Sequence, residues 1–484
     1  MLETLSSFLL KAGLVLLVIV FFNFMIFFHE LGHFLAGKWR GAYIDRFQIW
    51  FGKPIWKKKI WGVQVGLGWI PAGGFVSLPQ MEGMEGIEGN AYLPEEHRRP
   101  LKPLDKIIIA AAGPLFSLLL AYLFAMIVWG VGKPEGWTPG SQVGYVQPGS
   151  PAAEAGVLAG DVITAVDGKP VSKWMGNMEG VRDLVALSEG DTIALTINRP
   201  GQSEPLTLHT SYRLPETKWW QRGAMRQIGV LPAEASVVAA VLPGSPAEKA
   251  GLKSGQRVLS VNGQRVYSPV AVQEAAAQGG ALVLELAPAE DGTGVTRAEI
   301  TPQLPANWAG LEGAMPIIGA LWGGDSTEEG VRLDYPNPQV QVSQSLKWMG
   351  KTLEKVAAPG SSVTVEHLSG PVGIGAHIYQ MLNADSGIGW RLVLWFAVVL
   401  NVNLAVLNIL PLPVVDGGHV TLGIIEMLRG KSVSGRFLNW LMLGFVFVLM
   451  AFFLFVTFKD VGDLVGGKSA PPELPTPSFA AAAQ

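Results

Sequence analysis

His29-Glu30-Leu31-Gly32-His33 puts two imidazoles and one carboxylate within a single turn and a half of chain. On a helix, positions i and i+4 lie one above the other, so both imidazoles share a face. Neutral imidazoles at that spacing suit Zn²⁺, and the glutamate between them can take a proton from water. The pentapeptide closes an apolar run, Ala12 to Phe28, interrupted only by Asn23. Ionisable groups in a lipid-spanning helix are costly to insert, so a cluster of them marks a functional site. The alternative is a histidine pair satisfied by backbone carbonyls near the membrane surface.

A hydrolytic zinc site needs three protein ligands and one open position. The chain has no cysteine, which leaves His, Asp and Glu as donors and excludes disulfides and thiolate catalysis. The best third donor is Asp416, in Asn408-Ile409-Leu410-Pro411-Leu412-Pro413-Val414-Val415-Asp416-Gly417-Gly418-His419; its rival is His419. Pro411 and Pro413 break a span there, and non-helical backbone at membrane depth is tolerated only where protein or a cavity buries it. Aspartate is also a favoured helix N-cap, a role compatible with ligation.

The elements that must bring these groups together are membrane spans. A mean hydropathy of +0.32 with 15% charged residues is too apolar for an ordinary soluble enzyme. A net charge of −3 implies no broad basic surface and therefore no nucleic-acid partner. After the helix carrying HExxH, three further apolar stretches are long enough to cross a bilayer: Ile107 to Val131, Leu392 to Leu410 and Phe437 to Phe458. The first run lacks a small-residue cleavage site and reads as a retained span. Lys and Arg crowd the loop after span one (Lys57, Lys58, Lys59, Arg98, Arg99) and the loop after span three (Arg429, Lys431, Arg436), so both are expected to be cytoplasmic. Both termini and the long segment from Gly132 to Trp390 then lie outside, periplasmic in a Gram-negative cell, with HExxH toward the cytoplasmic side.

That outer segment is duplicated. Gly149 to Gly168 recurs 95 residues later, with nine of 20 positions identical, including Gly149-Ser150-Pro151-Ala152 and Gly244-Ser245-Pro246-Ala247. In each copy Ser-Pro opens a short helix that a glycine stops, and a strand ends in Asp167-Gly168 or Asn262-Gly263, strong hairpin turns. The pattern resembles PDZ domains, which bind an extended peptide along a sheet edge; a pair of rigid spacers is the alternative. The copies differ where Asp161 becomes Gln256.

Trp61, Val63, Val65, Leu67 and Trp69 alternate with small or polar residues, Pro71-Ala72-Gly73-Gly74 offers a turn, and Phe75-Val76 resumes. This predicts a β-hairpin, dipping into the membrane or lying on its surface. Gln341 to Ala357 has helical apolar spacing and predicts an amphipathic helix, on the outer membrane face or packed under the repeated pair.

With HExxH in span one and Asn-x-x-Pro-x-Pro-x-x-Asp-Gly in span three, the chain closely resembles the site-2 protease family of intramembrane zinc metalloproteases, in its RseP type with two PDZ domains. The resemblance covers nearly the whole chain. It implies Zn²⁺ held by His29, His33 and Asp416, Glu30 as general base, and Asn403 and Asn408 holding the substrate backbone or transition state. It also implies a β-loop near the zinc, placing Gly73 and Gly74 at substrate, while Ser369 to Ile374 resembles a further family element before span three. Two departures stand out: Val415 where the family has Leu, and Ser117, after Gly113-Pro114, where it has Asn.

The expected fold is a polytopic α-helical membrane protein with four transmembrane helices, two periplasmic α+β PDZ-like domains and a membrane-associated β-hairpin. Its layout is span one with HExxH (1–37), the β-loop region (38–106), span two (107–131), PDZ-like domains (132–226 and 227–305), the amphipathic helix and linker (306–390), span three with its loop (391–436), span four (437–458) and a disordered tail (459–484). The expected function is cleavage of a peptide bond inside the transmembrane segment of a single-span protein in the bacterial inner membrane, an anti-sigma factor already shortened outside. The competing readings are a membrane-anchored metalloprotease for soluble or misfolded proteins, and a non-catalytic PDZ scaffold with structural zinc.

Overall fold

A computed structural model of the protein describes residues 2–81, 94, 101–134, 140–176, 178–287, 295–323, 333–359, 361–383, 387–431, 433, 435–466 and 474–479. The chain begins with α1 (Leu2–Trp39), then β1 (Arg46–Ile60), β2 (Val63–Ser77), α2 (Pro103–Val131) and β3 (Lys133–Pro134). A first α+β module follows: β4 (Val143–Val146), α3 (Pro151–Glu154), β5 (Val162–Val166), β6 (Lys169–Pro170), α4 (Val181–Ala186), β7 (Ile193–Asn198), β8 (Leu206–Thr210) and β9 (Val230–Pro232). The second contains β10 (Val237–Val241), α5 (Pro246–Lys249), β11 (Arg257–Val261), β12 (Gln264–Arg265), α6 (Pro269–Ala277), β13 (Leu282–Ala287), β14 (Thr296–Ile300) and β15 (Ala320–Gly323). The chain then returns through β16 (Leu333–Asp334), α7 (Pro338–Ala357), α8 (Pro371–Leu382), α9 (Gly389–Ile409), α10 (Asp416–Arg429) and α11 (Gly435–Gly466).

These elements form two compact units. One holds Met1–Glu135, Leu333–Glu354 and Leu368–Val461; the other holds Gly136–Arg332, Lys355–His367 and Gly462–Gln484.

Among the described residues four helices are long and apolar enough to cross a membrane, at Ala12–Trp39, Pro103–Val131, Gly389–Ile409 and Trp440–Gly466. They coincide with the four stretches read from sequence, and the protein is a polytopic membrane protein. α1, α2 and α9 meet along a seam of small side chains, with Ala121, Ala125 and Ala397 fully buried beside Leu120, Val128 and Val402. Small residues let backbones approach, which is how helices gain packing energy where lipid is as apolar as leucine. Gly32 is such a point: a side chain there would collide with the carbonyl of Ala112. α10 is tied to α2 by Lys106 and Glu426, 3.0 Å apart with side chains 7% and 4% exposed. Removing one partner of so buried a pair costs about 3–5 kcal/mol, because the other charge is left uncompensated.

Three features of this unit bear on the sequence reading. Asn23, the polar interruption of α1, accepts the Trp50 indole N–H at 2.5 Å and donates to the Ile19 carbonyl at 2.7 Å. The β-hairpin is larger than expected and carries a second turn. β1 and β2 pair antiparallel around Trp61–Gly62, both at positive φ, and β2 also folds back between Leu67 and Gly74, where the sequence places a turn: Gln64–Leu67 runs along Arg46–Ile49 in the same direction and Gly74–Ser77 in the opposite one. Arg46 to Ile49 has partners on both sides, Gln64 to Leu67 and Gly74 to Ser77, so the bent strands make a small sheet. The run Lys57-Lys58-Lys59 lies in exposed strand, where lysine discourages edge pairing, whereas in sequence its charge reads as loop. Finally, α7 packs on the apolar helices: Gln341 Nε2 donates to the Ala125 carbonyl at 2.9 Å, and Trp348 meets Trp395 edge-on at 5.8 Å.

In the second unit the repeated sequence makes repeated structure. The Ser150 and Ser245 hydroxyls accept from the Ala153 and Glu248 N–H groups, capping α3 and α5. Asp167 and Asn262 lie at positive φ and accept from the Ala194 and Val283 N–H groups, closing equivalent turns. The divergent pair keeps one bond and loses another. Asp161 and Gln256 each accept from the N–H three residues back at 2.8 Å, but only Asp161 also pairs with Arg199. Strand pairing sets the module boundaries later than the repeat suggests, at odds with divisions at 226 and 305. β9 pairs with β4 of the first module, and β15 pairs with β10 of the second. Each module thus recruits its last strand from beyond the repeated stretch, where Ile228-Gly229-Val230-Leu231 recurs as Ile318-Gly319-Ala320-Leu321 at a different offset.

The expected disordered tail is also corrected. Residues 459–466 continue α11, and residues 474–479 are held against the second module. Lys459 and Asp460 are buried, and Asp460 accepts from the Gly373 N–H at 2.8 Å in the first turn of α8, where the helix dipole favours a carboxylate. Charges that end an apolar run in sequence here serve as helix-to-helix fastening.

Candidate metal centre

α1, α2 and α10 converge on one cavity of about 300 Å³, lined by His29, Glu30, His33, Asn408, Asp416 and His419 among others. His29 and His33, one turn apart, bring their Nε2 atoms to 3.3 Å. Asp416 reaches both, with Oδ2 3.0 Å from His29 Nε2 and Oδ1 3.2 Å from His33 Nε2. The donor atoms all lie within 4.8 Å of one another.

Each imidazole is turned so that Nδ1 faces away from this point. His29 Nδ1 lies 2.9 Å from Ser117 Oγ, and His33 Nδ1 donates to the Ile109 carbonyl at 2.8 Å. A carbonyl can only accept, so His33 carries its proton on Nδ1 and presents the Nε2 lone pair inward. The same tautomer at His29 puts two lone pairs and a carboxylate face to face. Asp416 Oδ2 is buried and accepts no hydrogen bond. Two imidazole nitrogens and a carboxylate aimed at a common point are the donor set of a cation site, and the residues fit a zinc ion.

The local sequence explains each position. α9 ends at Ile409, Leu410 caps it in extended conformation, and α10 begins at Asp416 after the two prolines. The N-cap is Val415, so Asp416 stands in the first turn, where the helix dipole stabilises its charge. Between the two candidates for third donor, the geometry selects Asp416. His419, buried one turn on, lines the cavity but is outside the donor cluster.

Ile109, Gly113 and Ser117 recur every four residues on α2 and form a stripe facing the histidines. A Cβ at Gly113 would lie 2.8 Å from His29 Nε2 and nearer still to His33 Nε2, so only glycine leaves room between helix and imidazoles. The fully buried Ser117 is the departure noted in sequence, and it orients His29. Sequence reasoning missed the Ile109 carbonyl and the steric role of Gly113; the matching spacing of four on both helices is the signal that could have found them.

Of the other residues picked from sequence, Glu30, Gly73, Gly74 and Asn408 line the cavity. Asn403 does not; it is half-buried on α9, while the neighbouring Asn401 is fully buried and donates to the Ala397 carbonyl. Replacing the Ser117 hydroxyl is expected to weaken zinc binding by about ten- to hundredfold, the usual effect of losing an orienting partner. Competition of Ser117→Ala and unsubstituted protein against a chromophoric chelator measures this, and equal affinities would remove Ser117 from the site.

The profile of peptidase family M50 matches residues 17–452. A Neisseria meningitidis protein named as a zinc metalloprotease is 30% identical over 91% of this chain and 97% of its own length. Protease RseP of Yersinia pestis is 29% identical over 86% of this chain and 91% of its own. The regulator of sigma-E protease RseP of Salmonella typhimurium is 28% identical over the same shares, 86% and 91%.

Proposed function

The chain belongs to peptidase family M50 and is a zinc-dependent metalloendopeptidase of the site-2 protease, RseP type, and from that premise we propose that it hydrolyses a peptide bond within the transmembrane segment of a single-span membrane protein. The observation that carries this reading is the meeting of His29, His33 and Asp416 beside Glu30 in a cavity walled by apolar membrane helices. His29, His33 and Asp416 are the zinc ligands in this reading. Zinc, when bound there, polarises the scissile carbonyl and lowers the pKa of water toward ~7.

The chain's own groups do the rest. Glu30 takes the proton of the attacking water and passes it to the departing amine. Ser117 and the Ile109 carbonyl keep both imidazoles in the ligating tautomer and orientation. Asn408 and the backbone at Gly73 and Gly74 line the cavity where an unwound substrate strand would lie. Unwinding is required, because a helical peptide bond has its carbonyl hydrogen-bonded internally.

The modules of the second unit are read as PDZ-like, peptide-binding and periplasmic, and the active site as opening toward the cytoplasmic side of a bacterial inner membrane. The excess of Lys and Arg in the loops after spans one and three supports that orientation. The Salmonella relative is named a regulator of sigma-E protease, which supports a role in sigma-factor regulation; in this reading the substrate is an anti-sigma factor already cut once outside. The test is cleavage, by purified protein, of a tethered single-span reporter beside the same peptide in soluble form. The expected result is cleavage of the spanning reporter alone; comparable cleavage of both would make the protein a membrane-anchored protease for soluble chains.

A further inference from the structure

The second module carries an apolar groove of about 340 Å³ between α6 and the segment from Met315 to Trp322, which includes the end strand β15. Ala276 and Ala277 form one wall, and Trp308 closes one side. The chain supplies its own occupant, Leu474-Pro475-Thr476-Pro477-Ser478-Phe479. Leu474 and Pro477 line the groove. The Phe479 ring lies so near Gly319 that a side chain there would stand 3.0 Å from it.

The segment is gripped by its backbone. The Pro475 carbonyl accepts from the Trp308 indole at 2.6 Å, and the Thr476 carbonyl accepts from Asn307 Nδ2 at 2.8 Å. The Ser478 N–H donates to Asn307 Oδ1 at 2.9 Å, and its carbonyl accepts from the Ala306 N–H at 2.9 Å. Two prolines suit this geometry. They bring no N–H that needs a partner, and they hold the chain extended before it docks, which reduces the entropy lost on binding.

We propose that Leu474–Phe479 is an intramolecular ligand of the second module's peptide groove, and that an external peptide of extended, apolar, proline-spaced type enters only by displacing it. The inference rests on the reading of the modules as peptide binders and is independent of the proteolytic reading. A ligand tethered by a short linker acts at an effective concentration on the order of mM. For an intrinsic Kd of order 100 μM, that lowers the apparent affinity of a competing peptide by about tenfold.

The experiment uses the full chain in detergent and a fluorescein-labelled peptide with the sequence of residues 474–479, read by fluorescence anisotropy. Three proteins are compared: the unsubstituted chain, the triple variant Leu474→Ser, Pro477→Ser, Phe479→Ser, and that triple variant with Asn307→Ala added. Asn307 is exposed, so its substitution removes two hydrogen bonds without disturbing the core. The triple variant is expected to bind the probe about tenfold more tightly than the unsubstituted chain, and Asn307→Ala to abolish that gain. Equal binding by the first two proteins would show that the tail is not a resident ligand. No binding by the triple variant would show that the groove does not recognise this sequence. Either outcome overturns the proposal, and reporter cleavage measured alongside tells whether the proteolytic reading stands apart from it.

Discussion

Glu30→Gln is expected to keep its zinc and to lose cleavage of a single-span reporter by about 10²–10⁴-fold, the range that general acid–base groups contribute. Glu30 lines the cavity beside the two histidines and Asp416, but it is not one of the clustered donors. Glutamine has nearly the same shape and hydrogen-bonding reach, yet it cannot accept and return a proton. Metal content measured on the same preparation as activity separates the two properties. A variant as active as the unsubstituted protein would remove Glu30 from the mechanism. A variant that lost zinc along with activity would make Glu30 a structural member of the site. Retained zinc without cleavage also speaks against a non-catalytic scaffold, which needs no base.

Gly113→Ala is expected to abolish zinc binding although every donor remains in place. The added methyl falls upon the Nε2 atoms of both histidines, on the side where their lone pairs point. The α2 backbone cannot retreat easily, since Gly32 of α1 already packs against the Ala112 carbonyl. Affinity should therefore fall by more than the about ten- to hundredfold expected for loss of an orienting partner such as Ser117. Gly130→Ala is the control: it lies on the same helix with nothing within 4 Å of its added carbon, and alanine is the better helix former. Metal analysis and melting curves of both variants give the answer. Normal zinc content in Gly113→Ala would mean that the imidazoles ligate from another direction than the geometry implies.

Much of the centre was legible because its chemistry is local. HExxH needs only the helical period to put both histidines on one face, and the two prolines before Asp416 end α9 whatever the surroundings. Apolar length likewise marked the four spanning helices at the places where the structure has them. The repeated Ser-Pro and Asp/Asn-Gly signals translated directly into caps and turns, because their bonds reach only a few residues or across one hairpin.

The extent of the hairpin, the module boundaries and the tail were misread for a common reason: each depends on a partner distant in sequence. Pro71 to Gly74 does mark a reversal, but the second turn at Trp61–Gly62 and the pairing of Trp56–Ile60 with Val63–Leu67 make the hairpin larger than that turn alone suggests. β9 and β15 are too short to be recognised alone, and they become strands by pairing with β4 and β10. The proline-rich tail lacks the composition to fold by itself, and residues 474–479 are held by Asn307 and Trp308 beside the groove that Leu474 and Pro477 help to line.

By itself the amino-acid sequence determined which groups could bind zinc, which helix face would carry the histidines, and how many helices could span a bilayer. Those follow from residue chemistry, a helical period and apolar length, all set within one element. Sequence also favoured Asp416 over His419 as third donor, and the tertiary structure brings Asp416 to the pair; only that structure decided that Ile109 and Ser117 aim the imidazoles and that Gly113 leaves them room. Such choices depend on the packing of α2 against α1 and α10, whose approach is set by side chains far apart in the chain, so no spacing within a single segment encodes it.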